Sequence, residues 1–225
     1  MKNIRTVIWD LDETVWFYKD NEPEILCEKL NIAELEKFKK QYYATLTNLF
    51  VYFKGKIVTY EKLKKYIQEQ MPILEEFNIS VELFLEVQCN EKKNITVVNK
   101  EAVEMMRYFS NIGLRNISIT DWIERHQQVA LKDFGAMDYI DKIYGCENAY
   151  FKNNPEKVIQ MTEQLQLAER KDEYIMIGDS LKSDIFFAKK LGIKSVWFNP
   201  KKKKNDTNII PDIEVQSLIE LKRYF

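Results

Sequence analysis

A chain of 225 residues, 45% of them hydrophobic and 13% aromatic, carries enough apolar material for one large or two modest domains. Its 34 basic and 35 acidic side chains leave a net charge of −1, which removes any global attraction to nucleic acid polymers or anionic membranes. Three scattered cysteines (Cys27, Cys89, Cys146) form no C-x-x-C pair, and one histidine, His126, cannot build a multi-histidine metal centre. A reduced, cytoplasmic setting is expected, with any metal held by oxygen ligands, as suits Mg²⁺.

The first apolar run, Thr6–Trp9, stops at Asp10. It is too short for a signal peptide core, and no later stretch approaches transmembrane length; it reads as a buried strand. From about Phe17 to Asn99 the pattern turns helical, with helices expected at Ile32–Phe53, Tyr60–Met71 (closed by Pro72) and Val81–Val87. Tyr42, Tyr43, Phe50, Tyr52 and Phe53 crowd this block and are expected mainly as helix-face core, with base stacking as the alternative. Beyond it come a helix over Lys100–Ile112, a strand over Asn116–Thr120 and a helix over Ile123–Phe134, with His126 expected on its surface. A strand over Tyr174–Ile177, a helix over Lys182–Leu191 and a strand over Ser195–Phe198 follow. Gly113, Gly135 and Gly192 sit where these helices need a left-handed residue to stop. Lys201–Lys204 read as a solvated loop. The alternation of strand and helix predicts an α/β, doubly wound parallel sheet built from residues 1–16 and 100–225, with residues 17–99 inserted as a small helical domain.

Chemistry concentrates at the ends of the predicted strands, where open α/β sheets bind ligands. Asp10 and Asp12 follow the first strand, and Asp179 and Asp184 follow Gly178 after the strand at 174–177. Carboxylates gathered this way repel one another unless a cation joins them. Gly178 permits close backbone approach there. Thr120 ends a third strand and offers a hydroxyl to an anion or to a helix start. Lys152 lies in a loop before Pro155 and supplies a positive charge.

The order Asp10-x-Asp12-x-Thr14-Val15, Thr120, Lys152, Gly178-Asp179-x-x-x-x-Asp184 resembles the four motifs of the haloacid dehalogenase-like hydrolases. That resemblance covers Ile4–Val15 and roughly Lys100–Leu221, and implies a Rossmann-like core with a helical cap. About 85 residues separate the Asp10 motif from the helix before Thr120, and 31 separate Thr120 from Lys152, so the cap occupies the first insertion point. Asn153 stands where the family often has proline, and Asp121 where Asn or Gly is common.

The resemblance further implies an Mg²⁺-dependent phosphatase acting on a small phosphorylated metabolite. Asp10 would be the nucleophile and form an aspartyl-phosphate. Asp12 would act as general acid and base, and Thr120 and Lys152 would hold phosphate oxygens, with Asp121 beside the substrate. Asp10, the Asp12 carbonyl and Asp179 would ligate the metal, backed by Asp184. An acid at position 12 separates phosphatases from the family's metal-free dehalogenases, whereas a sugar phosphomutase shares the same core. The run Gly178–Ile185 with Trp197-Phe198-Asn199-Pro200 is also similar to bacterial pyrimidine 5′-nucleotidases, which implies a nucleoside monophosphate as substrate.

Overall fold

The computed structural model describes Met1 and residues 3–225. Its elements, in chain order, are β1 (Thr6–Trp9), β2 (Trp16–Tyr18), α1 (Glu22–Lys29), α2 (Leu35–Tyr52), α3 (Tyr60–Gln70), α4 (Ile73–Glu76), α5 (Val81–Asn90), α6 (Lys92–Ile95) and β3 (Thr96–Val98). They continue as α7 (Lys100–Asn111), β4 (Arg115–Ile119), α8 (Glu124–Asp133), β5 (Lys142–Tyr144), α9 (Pro155–Gln164), β6 (Tyr174–Gly178), α10 (Phe186–Leu191), β7 (Lys194–Phe198) and β8 (Ile213–Val215).

Six strands form one parallel sheet in the order β5-β4-β1-β6-β7-β8. β1 is wholly buried, and its side chains alternate between the two faces. Val7 and Trp9 join a cluster with Met105, Met106 and Phe109 of α7, whereas Ile8 packs with Met161 of α9 and Phe187 and Leu191 of α10. Helices therefore cover both faces, which is why the four long strands read as apolar runs. The chain reverses its direction of travel across the sheet beside β1, so the crevice lies at the carboxyl ends of β1, β4 and β6.

Gly113, Gly135 and Gly192 all adopt positive φ and end their helices as expected. The predicted helix at 182–191 opens differently: Leu181–Ile185 forms a wide π-type turn, capped by Ser180 accepting from Ser183 N–H, before α10 begins.

Between β2 and β3 the chain is helical, and these two short strands pair antiparallel as a ribbon. Asn99 ties the outgoing and returning segments together: its N–H donates to Val15 O (2.8 Å) and its side-chain amide to Thr14 O (3.0 Å). Helices α2, α3 and α5 lie where the periodicity puts them, α2 starting three residues later and α5 running three residues longer. The helices enclose a core of their own, including Phe38, Tyr42, Phe53, Leu63, Tyr66, Ile67 and Phe84. Among the described residues, no helix is long and apolar enough to cross a membrane.

Candidate active site

Asp10 leaves β1 with its backbone N–H still donating to Ile177 O of β6 (2.9 Å), so the sheet ladder fixes its position. The loop that follows needs Glu13 in the left-handed region, at φ 60°. Glu13 repays that conformation by accepting from the Tyr18 N–H at 3.0 Å. From β6, Gly178 leads to Asp179 and Asp184. A Cβ on Gly178 would lie 2.4 Å from the Asp184 carboxyl, so the close approach requires glycine.

Asp10, Asp179 and Asp184 can each place a carboxylate oxygen within 4.8 Å of the others. Lys152 joins them: its Nζ donates to Asp10 Oδ1 (2.5 Å) and Asp184 Oδ1 (2.6 Å), and both bonds are buried. Burial and the neighbouring Asp184 push Asp10 well above the ordinary carboxylate range, against the pull of Lys152. Burial and Asp184 likewise push Asp179 up to about 7. Lys152 is buried too, yet Asp10 and Asp184 outweigh that and raise its pKa, so it stays charged. Three carboxylates against one ammonium leave an excess of negative charge on hard oxygen donors, and a divalent cation of the Mg²⁺ type fits that balance.

Asp12 occupies a different environment. Trp16 Nε1 and Tyr18 OH each donate to its Oδ1 at 2.8 Å, and Gln127 Nε2 donates to Oδ2 at 2.7 Å. Lys92 Nζ lies 3.2 Å from Oδ1 and over the rings of Trp16 and Tyr18, and also donates to the Tyr18 hydroxyl. Burial opposes ionisation of Asp12, but Lys92 and the three donors outweigh it and lower its pKa. The two acids of the first motif are therefore biased in opposite directions.

Thr120 is buried, and its hydroxyl accepts from Gln127 Nε2 (3.0 Å) and from Trp122 N–H (3.3 Å). It does not cap α8, which starts after Ile123. Asp121 accepts from the backbone N–H of Lys152 (2.8 Å) and from Ser183 Oγ (3.4 Å), so both carboxylate oxygens bind neighbouring loops together. All seven residues singled out in the sequence line one cavity of ≈ 510 Å³.

Lys92, Tyr18, Trp16 and Gln127 were not legible as site residues. Trp16 lies four residues from Asp12, a spacing that hints at contact, but nothing in the sequence connects Lys92 or Gln127 to it. His126 is a correction: it is 4% exposed rather than on the surface, and neither ring nitrogen has a partner. Helices α5 and α6 cover that face of α8, which an isolated helix pattern does not reveal. Burial, then Arg125 and Lys92, lower His126 to about 4. The aromatics divide: Phe53 is core, Phe50 lines the cavity, and Tyr42 does both.

A model of the haloacid dehalogenase-like hydrolases matches residues 4–192. The chain is 24% identical to the HAD-hydrolase YfnB of Bacillus subtilis (strain 168), over 98% of this chain and 95% of that one. A crystal structure of YfnB bound to magnesium superposes with a TM-score of 0.76 at 21% identity, covering 99% of this chain and 98% of that one. Pyrimidine 5′-nucleotidase PynA of Streptococcus pneumoniae (strain ATCC BAA-255 / R6) is 28% identical over 102 residues, 45% of this chain and 43% of its own. L-2-haloacid dehalogenase from Xanthobacter autotrophicus shares the fold at TM-score 0.70 and 14% identity, over 98% of this chain and 97% of that one. With the family model matched from the first strand to the end of α10, and the α/β fold shared along its whole length, the chain belongs to the haloacid dehalogenase-like hydrolases and is an enzyme of that family.

Proposed function

We propose that the protein is an Mg²⁺-dependent phosphatase of small phosphate monoesters, working through an aspartyl-phosphate on Asp10. The observation that carries this reading is the buried cluster of Asp10, Asp179 and Asp184, whose negative charge exceeds what Lys152 neutralises. Asp10, the Asp12 carbonyl and Asp179 would hold the ion, with Asp184 behind them. When bound, Mg²⁺ neutralises charge on the phosphoryl oxygens and on these carboxylates.

Asp10 supplies the attacking oxygen: its bond to phosphorus forms as the ester P–O bond breaks. The departing oxygen takes a proton from Asp12. Water then attacks phosphorus, Asp12 accepts its proton, and phosphate leaves Asp10 regenerated. Lys152 and the Thr120 hydroxyl hold phosphoryl oxygens as charge builds. Asp121 positions Lys152 through its backbone N–H. Lys92 and Gln127 hold Asp12 until a substrate competes for it. The acid at position 12 favours this chemistry over dehalogenation, which needs no proton on a leaving oxygen.

In this reading residues 17–99 form the cap and residues 1–16 and 100–225 the core, a division supported by the antiparallel ribbon and by an apolar cluster drawn mostly from the helices between its strands, to which Ile123, Cys146 and Phe151 also contribute. A nucleoside monophosphate is the finer substrate reading, supported by the partial likeness to PynA and by Phe50 and Trp122 in the cavity wall. The cysteines, all free and buried, accord with a cytoplasmic setting. The test is hydrolysis of an aryl phosphate with Mg²⁺, with EDTA, and by Asp10→Asn. Activity is expected only in the first case, and equal rates in all three would refute the proposal.

A further inference from the structure

The cap side of the cavity carries polar groups that phosphoryl transfer does not use. Tyr42 of α2 donates its hydroxyl proton to Glu22 Oε1 of α1 (2.5 Å), and Gln88 Nε2 of α5 donates to the Tyr42 oxygen (3.0 Å). Because the phenol has one proton, committed to Glu22, it can only accept from Gln88. That fixes the amide orientation and turns Oε1 away from the phenol. Gln88 Oε1 is fully buried without a partner, although Gln88 lines the cavity and is only 6% exposed. A buried acceptor left unpaired is unfavourable, so a ligand that brings a donor gains what the protein lacks.

Charge narrows the choice of ligand where Glu22 is ionised: burial raises its carboxyl to about 7, so its negative charge is present above that pH. Glu22 lines the same cavity, and among the described residues no lysine or arginine of the cap does. The lining cations, Lys152 and Lys182, both come from the core. Leu46, Leu49 and Phe50 add an apolar surface beside the two polar groups.

Resting on the phosphatase reading above, we propose that Gln88 and Glu22 select the leaving group. The substrate is a phosphate monoester whose leaving group is uncharged and presents an N–H or O–H donor to Gln88 Oε1 beside an apolar face. A nucleoside or a polyol meets that description. A carboxylate or a second phosphate does not, because it would face Glu22 and an acceptor oxygen, while Lys152 and Lys182 lie on the core side and Lys92 is held by Asp12.

The test compares kcat/KM for thymidine 5′-monophosphate, glycerol 3-phosphate, phosphoglycolate and p-nitrophenyl phosphate, using the full chain with Mg²⁺. At least one of the first two is expected to exceed phosphoglycolate by about tenfold or more. Gln88→Leu should lower the ratio of that ester to the nitrophenyl ester about tenfold, the value of one buried hydrogen bond. Gln88→Met serves the same purpose if the leucine variant does not fold. Glu22→Gln should raise phosphoglycolate relative to the nitrophenyl ester. The exposed cap substitution Leu83→Ala should leave both ratios unchanged.

A preference for phosphoglycolate, or a ratio that Gln88→Leu does not move, would overturn the proposal and leave Gln88 as a brace for Tyr42. That outcome differs from failure of the phosphatase reading, in which all four esters stay intact and both proposals fall.

Discussion

Asp10 and Asp12 are separated by one residue, yet their surroundings bias their protons in opposite directions. Asp10 lies among carboxylates and is pushed up, while Asp12 lies among donors beside Lys92 and is held down. As the proton donor of the proposed mechanism, Asp12 would set the alkaline limit of turnover, since activity would fall as pH rises through its pKa. Lys92→Met removes its largest lowering influence, so the Asp12 pKa should rise. The alkaline limb of kcat/KM should move up with it. A depressed carboxyl stabilises the fold above its unfolded pKa and loses that contribution as pH falls through the folded value. The variant should therefore also be less stable at neutral pH, and a pH–rate profile with a urea melt at pH 7 checks both effects. Both acids could be named from sequence because the motif spacing is local. Lys92 could not, since it lies 80 positions from Asp12 along the chain and only the fold brings it near.

At the scale of elements, two junctions control the site. The turn after β6 is one: Gly178→Ala would drive a methyl into Asp184, which binds both Lys152 and the Ser180 N–H. A misplacement of about 1 Å should cut kcat around a hundredfold. The strain should cost about 1–3 kcal/mol, readable by denaturant melts. The other junction is the face of α8 beneath α5 and α6, where His126 is buried neutral. Its folded pKa lies near 4, below the ordinary 6.5, so the unfolded chain binds the extra proton between those values. Stability should therefore fall as pH drops from 6.5 towards 4, by about 3 kcal/mol from this residue. His126→Leu should flatten that slope and leave the protein at least as stable as the wild type at pH 7. Melts at pH 5 and 7 decide; an unchanged slope would show that His126 is not the source. The four long central strands were legible because burial on both faces makes each one an apolar run. The three-residue strands β2, β3, β5 and β8, and α1 with its proline, were not, because their pairing depends on distant partners rather than on their own pattern.

For the whole molecule, the sheet sets the geometry, and in the proposal above the helical segment between β2 and β3 supplies the selectivity. The ends of β1, β4 and β6 bring Asp10, Thr120 and Asp179 to one crevice, which the order of the motifs already implied. The grouping of Glu22, Tyr42 and Gln88 emerged only from the fold, because they come from three helices and share no motif. The central claim is that Asp10 accepts the phosphoryl group. Acid-quenching the enzyme during turnover of a phosphate monoester, followed by mass spectrometry of its peptides, tests it directly. A phosphoryl group on the peptide containing Asp10, absent from Asp10→Asn, is the predicted result. Phosphate release by Asp10→Asn at the wild-type rate, or a phosphoryl group trapped on another residue, would contradict the account.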